Sequence, residues 1–333
     1  MMGDRIKIGV VGAGYWGPNL IRNCAELGVL HSVCDINSEA LQSIGSSYPS
    51  AKLFSDFEQF LASDANAVVI AAPAQLHAPM ALQAIAAHKH VFVEKPLALD
   101  VATGELVCQA AEKAKVQLFV GHVLLYHAAI KKMRSLLAEQ VIGEVWHLRS
   151  RRLSLGKLRD HEDVWWSFAP HDVAVMLAVM GEEPQAVGSA RSSTGESRVA
   201  DAAYADFRFS RGRSAHIEVC WLDPNKSARL DIFGSKGLLT LEDSRTGSSL
   251  TLTPCGKDDA SSQKTWKQPP VAIDVVQHEP LHAEIAAFLD SVTSGRPAET
   301  DGREGVAVLK ALAMADRAAF SKSTDLRMPV LSE

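Results

Sequence analysis

The 333-residue chain reads as an α/β protein in two parts, a doubly wound parallel sheet followed by an α+β domain with a large, mostly antiparallel sheet. Three observations predict this. Short apolar strands alternate strictly with amphipathic helices up to about residue 121; a G-x-G-x-x-G run separates the first strand from the first helix; and beyond Gly121 long strand-like runs are joined by turn residues.

The first strand, residues 6–11, passes through Gly12-Ala13-Gly14-Tyr15-Trp16-Gly17 into a helix over 19–27. In such a turn the first glycine permits the bend and the second lets backbone approach a phosphate. The third lets helix pack on strand, so that an anion meets unpaired N–H groups at the helix start. The next apolar run ends in Asp35, whose carboxylate suits an adenosine ribose and repels a 2′-phosphate, favouring NAD over NADP. The predicted cofactor contacts here are Gly12, Gly14, Tyr15, Trp16, Gly17 and Asp35; the plainer alternative is an ordinary glycine-rich βα turn. Helices over 38–46, 79–87 and 102–114, with strands over 67–71, 91–94 and 117–120, complete a Rossmann domain over residues 1–121.

Residues 122–333 form the second unit. A helix over 128–139 precedes strands at 144–155, 185–191, 203–209, 214–222, 229–233 and 238–241, with turn signals at Ser210-Arg211-Gly212 and Gly234-Ser235-Lys236-Gly237. Helices follow over 281–293 and 305–319, while the polar stretch 253–268 reads as a mobile hairpin or loop.

Composition narrows the functional classes. With 47% apolar residues the chain can build real cores, and 34 basic against 39 acidic residues give a net charge of −5, which offers no global attraction to nucleic acid or anionic membrane. No apolar stretch approaches a membrane span, and Asp4, Arg5 and Lys7 interrupt the place of a signal-peptide core, so a cytoplasmic location is expected. Five scattered cysteines indicate neither a zinc site nor a disulfide framework.

Two residues stand out as candidates for catalysis. Lys95, in Glu94-Lys95-Pro96, ends a parallel strand at the sheet edge where ligands bind, and a lysine dehydrated beside a cationic nicotinamide gives up its proton more readily. His171, in Ala169-Pro170-His171-Asp172, opens an apolar helix, with Pro170 in its first turn and Asp172 placed to orient the ring. Between them lie Arg149, Arg151, Arg152, Lys157 and Arg159, flanked by Trp146 and Trp165-Trp166, a set suited to a diphosphate and a stacked ring. A surface Glu-Lys pair, a structural histidine and a solvated basic strand are the plainer readings of the same residues.

These residues together resemble the Gfo/Idh/MocA family of sugar and inositol oxidoreductases along nearly the whole chain. The resemblance rests on the glycine run, Ala72-Pro73 with His77, Glu94-Lys95-Pro96, Gly121-His122 and Glu279-Pro280-Leu281. It implies that Lys95 and His171 act on a substrate hydroxyl, that Ala72, Pro73, His77, Glu94 and Trp166 join the NAD contacts, and that the protein is a homodimer or homotetramer. An antiparallel sheet with a hydrophobic outer face would need such cover. Relatives often carry an aspartate where this chain has Ser167, which leaves Asp163 or Asp172 as substitutes in a proton relay. Within the family, residues 15–20 and 155–172 look most like nucleotide-sugar 3-dehydrogenases. That likeness implies a UDP-sugar such as UDP-N-acetylglucosamine, held by His122, Tyr126, Arg149, Arg151, Lys157, Arg159, Trp165, His171 and Asp172, with an aminotransferase acting next. Open alternatives are a dehydrogenase of a free sugar or inositol, an NAD-dependent glycosidase, and a dinucleotide-sensing regulator.

Overall fold

A computed structural model describes residues 6–155, 163–194, 199–244, 247–257 and 264–320. The first sheet is built from β1 (Ile8–Val11), α1 (Gly17–Glu26), β2 (Leu30–Cys34), α2 (Ser38–Ser47), β3 (Lys52–Phe54), α3 (Phe57–Leu61), β4 (Ala67–Ile70), α4 (Ala74–Ala86), β5 (His90–Glu94), α5 (Val101–Ala114) and β6 (Leu118–Gly121). All its pairs are parallel, in the order β3-β2-β1-β4-β5-β6. Order therefore reverses between β1 and β4, which opens a crevice at the carboxyl ends of the strands. Strands β1, β4 and most of β5 are buried throughout, as a sheet covered on both faces requires. Helix α4 begins well before the expected residue 79. Pro79 lies inside it, and the carbonyl deprived of a helical partner belongs to Gln75, an exposed residue.

The chain then continues through α6 (Ala128–Ala138), β7 (Val145–Leu153), α7 (Val164–Met180), β8 (Ala186–Ser192), β9 (Ala202–Arg208), β10 (Ser214–Cys220), β11 (Ser227–Gly234), β12 (Gly237–Ser244), β13 (Gly247–Lys257), β14 (Thr265–Lys267) and β15 (Val271–Ile273). The second sheet runs β14-β13-β12-β11-β7-β10-β9-β8, with β15 beside β13. Among the described strands only β7 and β10 pair in parallel; the rest are antiparallel. Residues 253–257, expected as part of a hairpin or loop, extend β13, and Cys255–Lys257 pair with β14 as a hairpin. Helices α8 (Pro280–Ser294) and α9 (Gly302–Phe320) then return to the first sheet. Val120 N–H donates to the Thr300 carbonyl at 2.8 Å, and Phe92, Phe119 and Phe288 pack with ring centroids 4.9 to 5.8 Å apart. All three rings are fully buried, each worth roughly 2–3 kcal/mol of apolar transfer, so the two sheets share one continuous core.

Side-chain alternation along β7 decides which arginines face α7. Ser150 donates to Asp172 at 2.6 Å, and Arg152 grips the same carboxylate with two bonds of 2.7 and 3.1 Å. Arg149 and Arg151 therefore point from the other face, where Arg149 and Arg229 both bind buried Asp231, which also accepts from Thr240 at 2.8 Å. That outer face is not the hydrophobic surface expected. It carries Arg149, Arg151, Asp206, Glu218, Arg229 and Glu242.

Two variant sets test this packing. A Cβ on Gly17 would sit 1.9 Å from the Gly12 carbonyl oxygen, whereas one on Gly14 meets nothing within 4 Å. Gly17→Ala is expected to cost about 3 kcal/mol in urea unfolding. Gly14→Ala should leave stability within about 0.5 kcal/mol yet weaken NAD affinity about tenfold, because the added methyl fills space that a phosphate needs. Asp172→Ala should cost about 3 kcal/mol by stranding Arg152, with much of it regained in Asp172→Leu/Arg152→Met.

Candidate functional site

The glycine loop closes the crevice at the end of β1. Gly12, at φ +95°, donates its N–H to the Cys34 carbonyl at 2.9 Å, and a side chain there would strike the Ala71 backbone. Asp35 accepts from the Ala13 and Asn37 N–H groups at 2.6 and 2.7 Å, which fixes loop to strand while each oxygen keeps a lone pair for a ribose hydroxyl. Helix α1 starts at Gly17 with no side chain capping it; Pro18 has no N–H and Asn19 donates to the Trp16 carbonyl at 3.0 Å, which leaves the Gly17 N–H as the first-turn donor for an anion. Tyr15 and Trp16 stand exposed at the rim. Together with the open space over Gly14, these features fit a dinucleotide pyrophosphate.

Across the crevice, Ala72 and Pro73 lead into α4, and buried His77 bridges two carbonyls, Ala72 and Pro96, each at 2.7 Å. This bracket holds the ends of β4 and β5 together. Trp16 Nε1 donates to Glu94 at 2.7 Å, tying the glycine loop to the same strand end. Burial pushes the Glu94 carboxyl up to about 7 against the opposing pull of Lys95 and the Trp16 N–H.

Lys95 then reaches across to the second sheet's helix. Its Nζ donates to the Ser167 carbonyl of α7 at 2.8 Å, one helical turn before His171. Helix α7 starts earlier than expected because Asp163 caps it, accepting the Trp166 N–H at 2.9 Å. Pro170 is thus inside the helix, and His171 projects from its second turn rather than its first. The His171 Nδ1 is buried with no hydrogen-bond partner among the described residues. Burial, followed by the positive fields of Lys95, Arg152 and His122, holds this imidazole well below its ordinary value and so neutral. A neutral base beside an amine donor is what removal of a hydroxyl proton requires.

Other expected site residues lie elsewhere. Asp172 does not orient His171, since its oxygens are taken by Arg152 and Ser150. Arg149 and Arg151 occupy the sheet face away from α7, so they form no diphosphate grip beside Lys95; Lys157 and Arg159 fall outside the described residues. Trp165 is fully buried, donates to the Leu312 carbonyl and stacks on Phe207, which makes it core rather than a platform. Tyr126 is likewise core, its hydroxyl bonded to Thr300 at 3.0 Å. His122 stays close enough for its field to reach His171 and Glu94, but it is buried and its Nδ1 is bonded to Glu304 at 2.7 Å. Trp166 is partly buried and packs against both hydrophobic core clusters.

Three polar residues near the cleft were not anticipated as site residues: Arg152 in its pairing with Asp172, Glu304 and Glu284. Glu284 is fully buried on α8 and neither of its oxygens has a partner among the described residues. The signal was present. Leu281, Glu284, Ile285 and Phe288 form one buried helical stripe, and a carboxyl in such a stripe breaks the apolar pattern. No cluster of metal-ligating residues occurs among the described residues, nor any helix long and apolar enough to cross a membrane.

Comparison with known proteins agrees with this geometry. Residues 6–122 match the Gfo/Idh/MocA model described as an oxidoreductase family with an NAD-binding Rossmann fold, and residues 130–240 match that family's C-terminal domain. The UDP-N-acetylglucosamine 3-dehydrogenase of Acidithiobacillus ferrooxidans is 26% identical over 92% of this chain and 95% of its own length. A solved structure of that enzyme superposes with a TM-score of 0.84, covering 94% of this chain and 97% of that one. The myo-inositol 2-dehydrogenase of Thermotoga maritima is 24% identical over 90% of this chain and 92% of its own. The glycine cradle, the Lys95 bridge and these matches lead to one conclusion: the chain belongs to the Gfo/Idh/MocA family of NAD-linked oxidoreductases.

Proposed function

We propose that this protein oxidises the C3 hydroxyl of a UDP-linked amino sugar, UDP-N-acetylglucosamine, to the 3-keto sugar. The observation that carries the chemistry is the Lys95 amine bonded to the turn of α7 that bears neutral His171, in front of the glycine cradle. The choice of sugar is supported by end-to-end similarity to the Acidithiobacillus enzyme. Gly12, Gly14, Trp16, Gly17 and Asp35 hold the coenzyme, which when bound supplies the hydride acceptor. His171 takes the hydroxyl proton, and Lys95 holds the substrate oxygen and stabilises negative charge developing on it. The 3-keto product is a carbonyl ready for transamination, so an aminotransferase is the expected next enzyme. By family resemblance the protein is a homodimer or homotetramer.

A specific observation favours a second reading, a dehydrogenase of a free sugar or inositol. Arg149 and Arg151 face away from α7, and the inositol dehydrogenase is nearly as similar as the nucleotide-sugar enzyme. UDP alone separates the two: competitive inhibition against the sugar is expected, and its absence with turnover of free polyols would overturn the UDP assignment. Lys95→Ala should reduce kcat at least about 1000-fold, measured by NADH absorbance, while NAD affinity stays within a few-fold. The pH profile follows from the sign of the His171 shift. The imidazole works only when neutral and its value is depressed, so the acid-side loss of kcat/KM should fall well below pH ~6.5.

A further inference from the structure

Trp16 stands where the local preference is for another kind of residue. It is the N-cap of α1, a position that favours Ser, Thr, Asp or Asn, and its side chain caps nothing. Its carbonyl accepts the Asn19 N–H at 3.0 Å and closes the first turn of the helix, while the indole leaves that turn and reaches the end of β5. Local preferences are set aside most often at functional sites.

The indole meets Glu94, whose two oxygens are divided between two donors. Oε1 accepts the Trp16 Nε1–H at 2.7 Å, and Oε2 accepts the backbone N–H of Lys95 at 3.3 Å. The carboxylate lies against Gly121 of β6, the residue opposite Glu94 in the sheet, where a Cβ would stand 3.1 Å from Oε2 and 3.2 Å from Cδ. Beyond Lys95, the Pro96 carbonyl is 2.7 Å from His77 Nδ1, and Lys95 Nζ itself donates to the Ser167 carbonyl at 2.8 Å. One line of contacts therefore runs from the coenzyme loop through Glu94 and Lys95 to the helix that carries His171.

We propose that Trp16 is a positioning residue for the reaction: its indole N–H holds the Glu94 carboxylate, and through it the backbone at Lys95, so that the loop seating the coenzyme also sets where the catalytic amine stands. This rests on Lys95 as the amine of an NAD-linked oxidation and not on which sugar is oxidised. Glu94 acts on the peptide of Lys95 and not on the reacting atoms. An amine displaced slightly from the alcohol oxygen slows the chemical step while the coenzyme cradle keeps its own contacts.

Trp16→Phe removes the N–H and keeps an aromatic ring at the rim. With whichever alcohol is turned over, kcat should fall about 10- to 100-fold while NAD⁺ affinity, measured by calorimetry, stays within about threefold. Gly121→Ala crowds the same carboxylate from β6 and should lower kcat in the same way. The double variant should be no slower than the slower single one, a non-additivity that two independent structural defects would not show. In the coenzyme-free protein, ultraviolet resonance Raman reports the hydrogen bond of the Trp16 indole, assigned by difference from Trp16→Phe, and that band should move toward free indole in Glu94→Ala. Undiminished kcat in Trp16→Phe, a loss that falls on NAD⁺ affinity instead, additive losses in the double variant, or a Raman band indifferent to Glu94→Ala would each overturn the proposal. Lys95→Ala separates the two levels: turnover surviving that change removes the role of Lys95 and with it that of Trp16, whereas its loss beside full turnover in Trp16→Phe removes only the role of Trp16.

Discussion

The bond from Lys95 Nζ to the Ser167 carbonyl is the contact on which the site depends. It joins the end of a strand in one sheet to a helix laid on another, and neither element alone holds both an amine and an imidazole. Its geometry is set from behind. Helices α8 and α9 come back across the first sheet and pack Phe288 onto Phe92 and Phe119, while the backbone link from Val120 to Thr300 fixes their height. Because the hydrophobic core runs continuously from β1 to β11, the two sheets cannot slide apart without exposing it. A 2.8 Å contact between distant segments is therefore held by packing rather than by its own modest strength.

Burial also decides which groups in the cleft carry charge. Asp172 remains paired because Arg152 meets it with two bonds from the neighbouring strand. The His171 Nδ1 is left without a carboxylate, and burial first, then the positive fields of Lys95, Arg152 and His122, keeps the ring neutral. The aspartate that relatives often place one turn earlier is Ser167 here, and it is the backbone carbonyl of Ser167 that receives Lys95. A carbonyl accepts from the amine and orients it without bringing a full charge to that contact.

Much of the first sheet was legible because its signals are local. A strand, a glycine turn and a helix require only neighbouring residues, and the spacing to Asp35 reflects a single crossover. The start of α7 was not legible, since Pro170 suggested a first turn while the real cap was Asp163, seven residues earlier. The arginines misled for a different reason. Arg149, Arg151 and Arg152 are adjacent in sequence, but strand alternation sends Arg152 to one face and the other two to the opposite one. Composition counts all three as one basic patch. Trp165, Tyr126 and His122 show the same limit: each has a polar handle, and only tertiary packing reveals that Leu312, Thr300 and Glu304 already occupy it.

The inner face of the second sheet bears on where the proposed substrate could lie. The cavity bounded by His127, Ser150, Arg152, Asp172 and Asp243 has a volume of about 40 Å³, room for a water molecule and not for a sugar ring. Opening it would separate Arg152 from Asp172, a buried pair whose breakage is costly. Under the proposed function a sugar sits instead against Lys95 and His171, in the cleft between the sheets. On that proposal a reacting carbinol would meet a neutral base, a donor amine and the coenzyme cradle together, and whatever follows the ring would leave along the open rim. Discrimination between a nucleotide-linked sugar and a free polyol then belongs to that rim and not to the catalytic floor, which the two kinds of substrate would share.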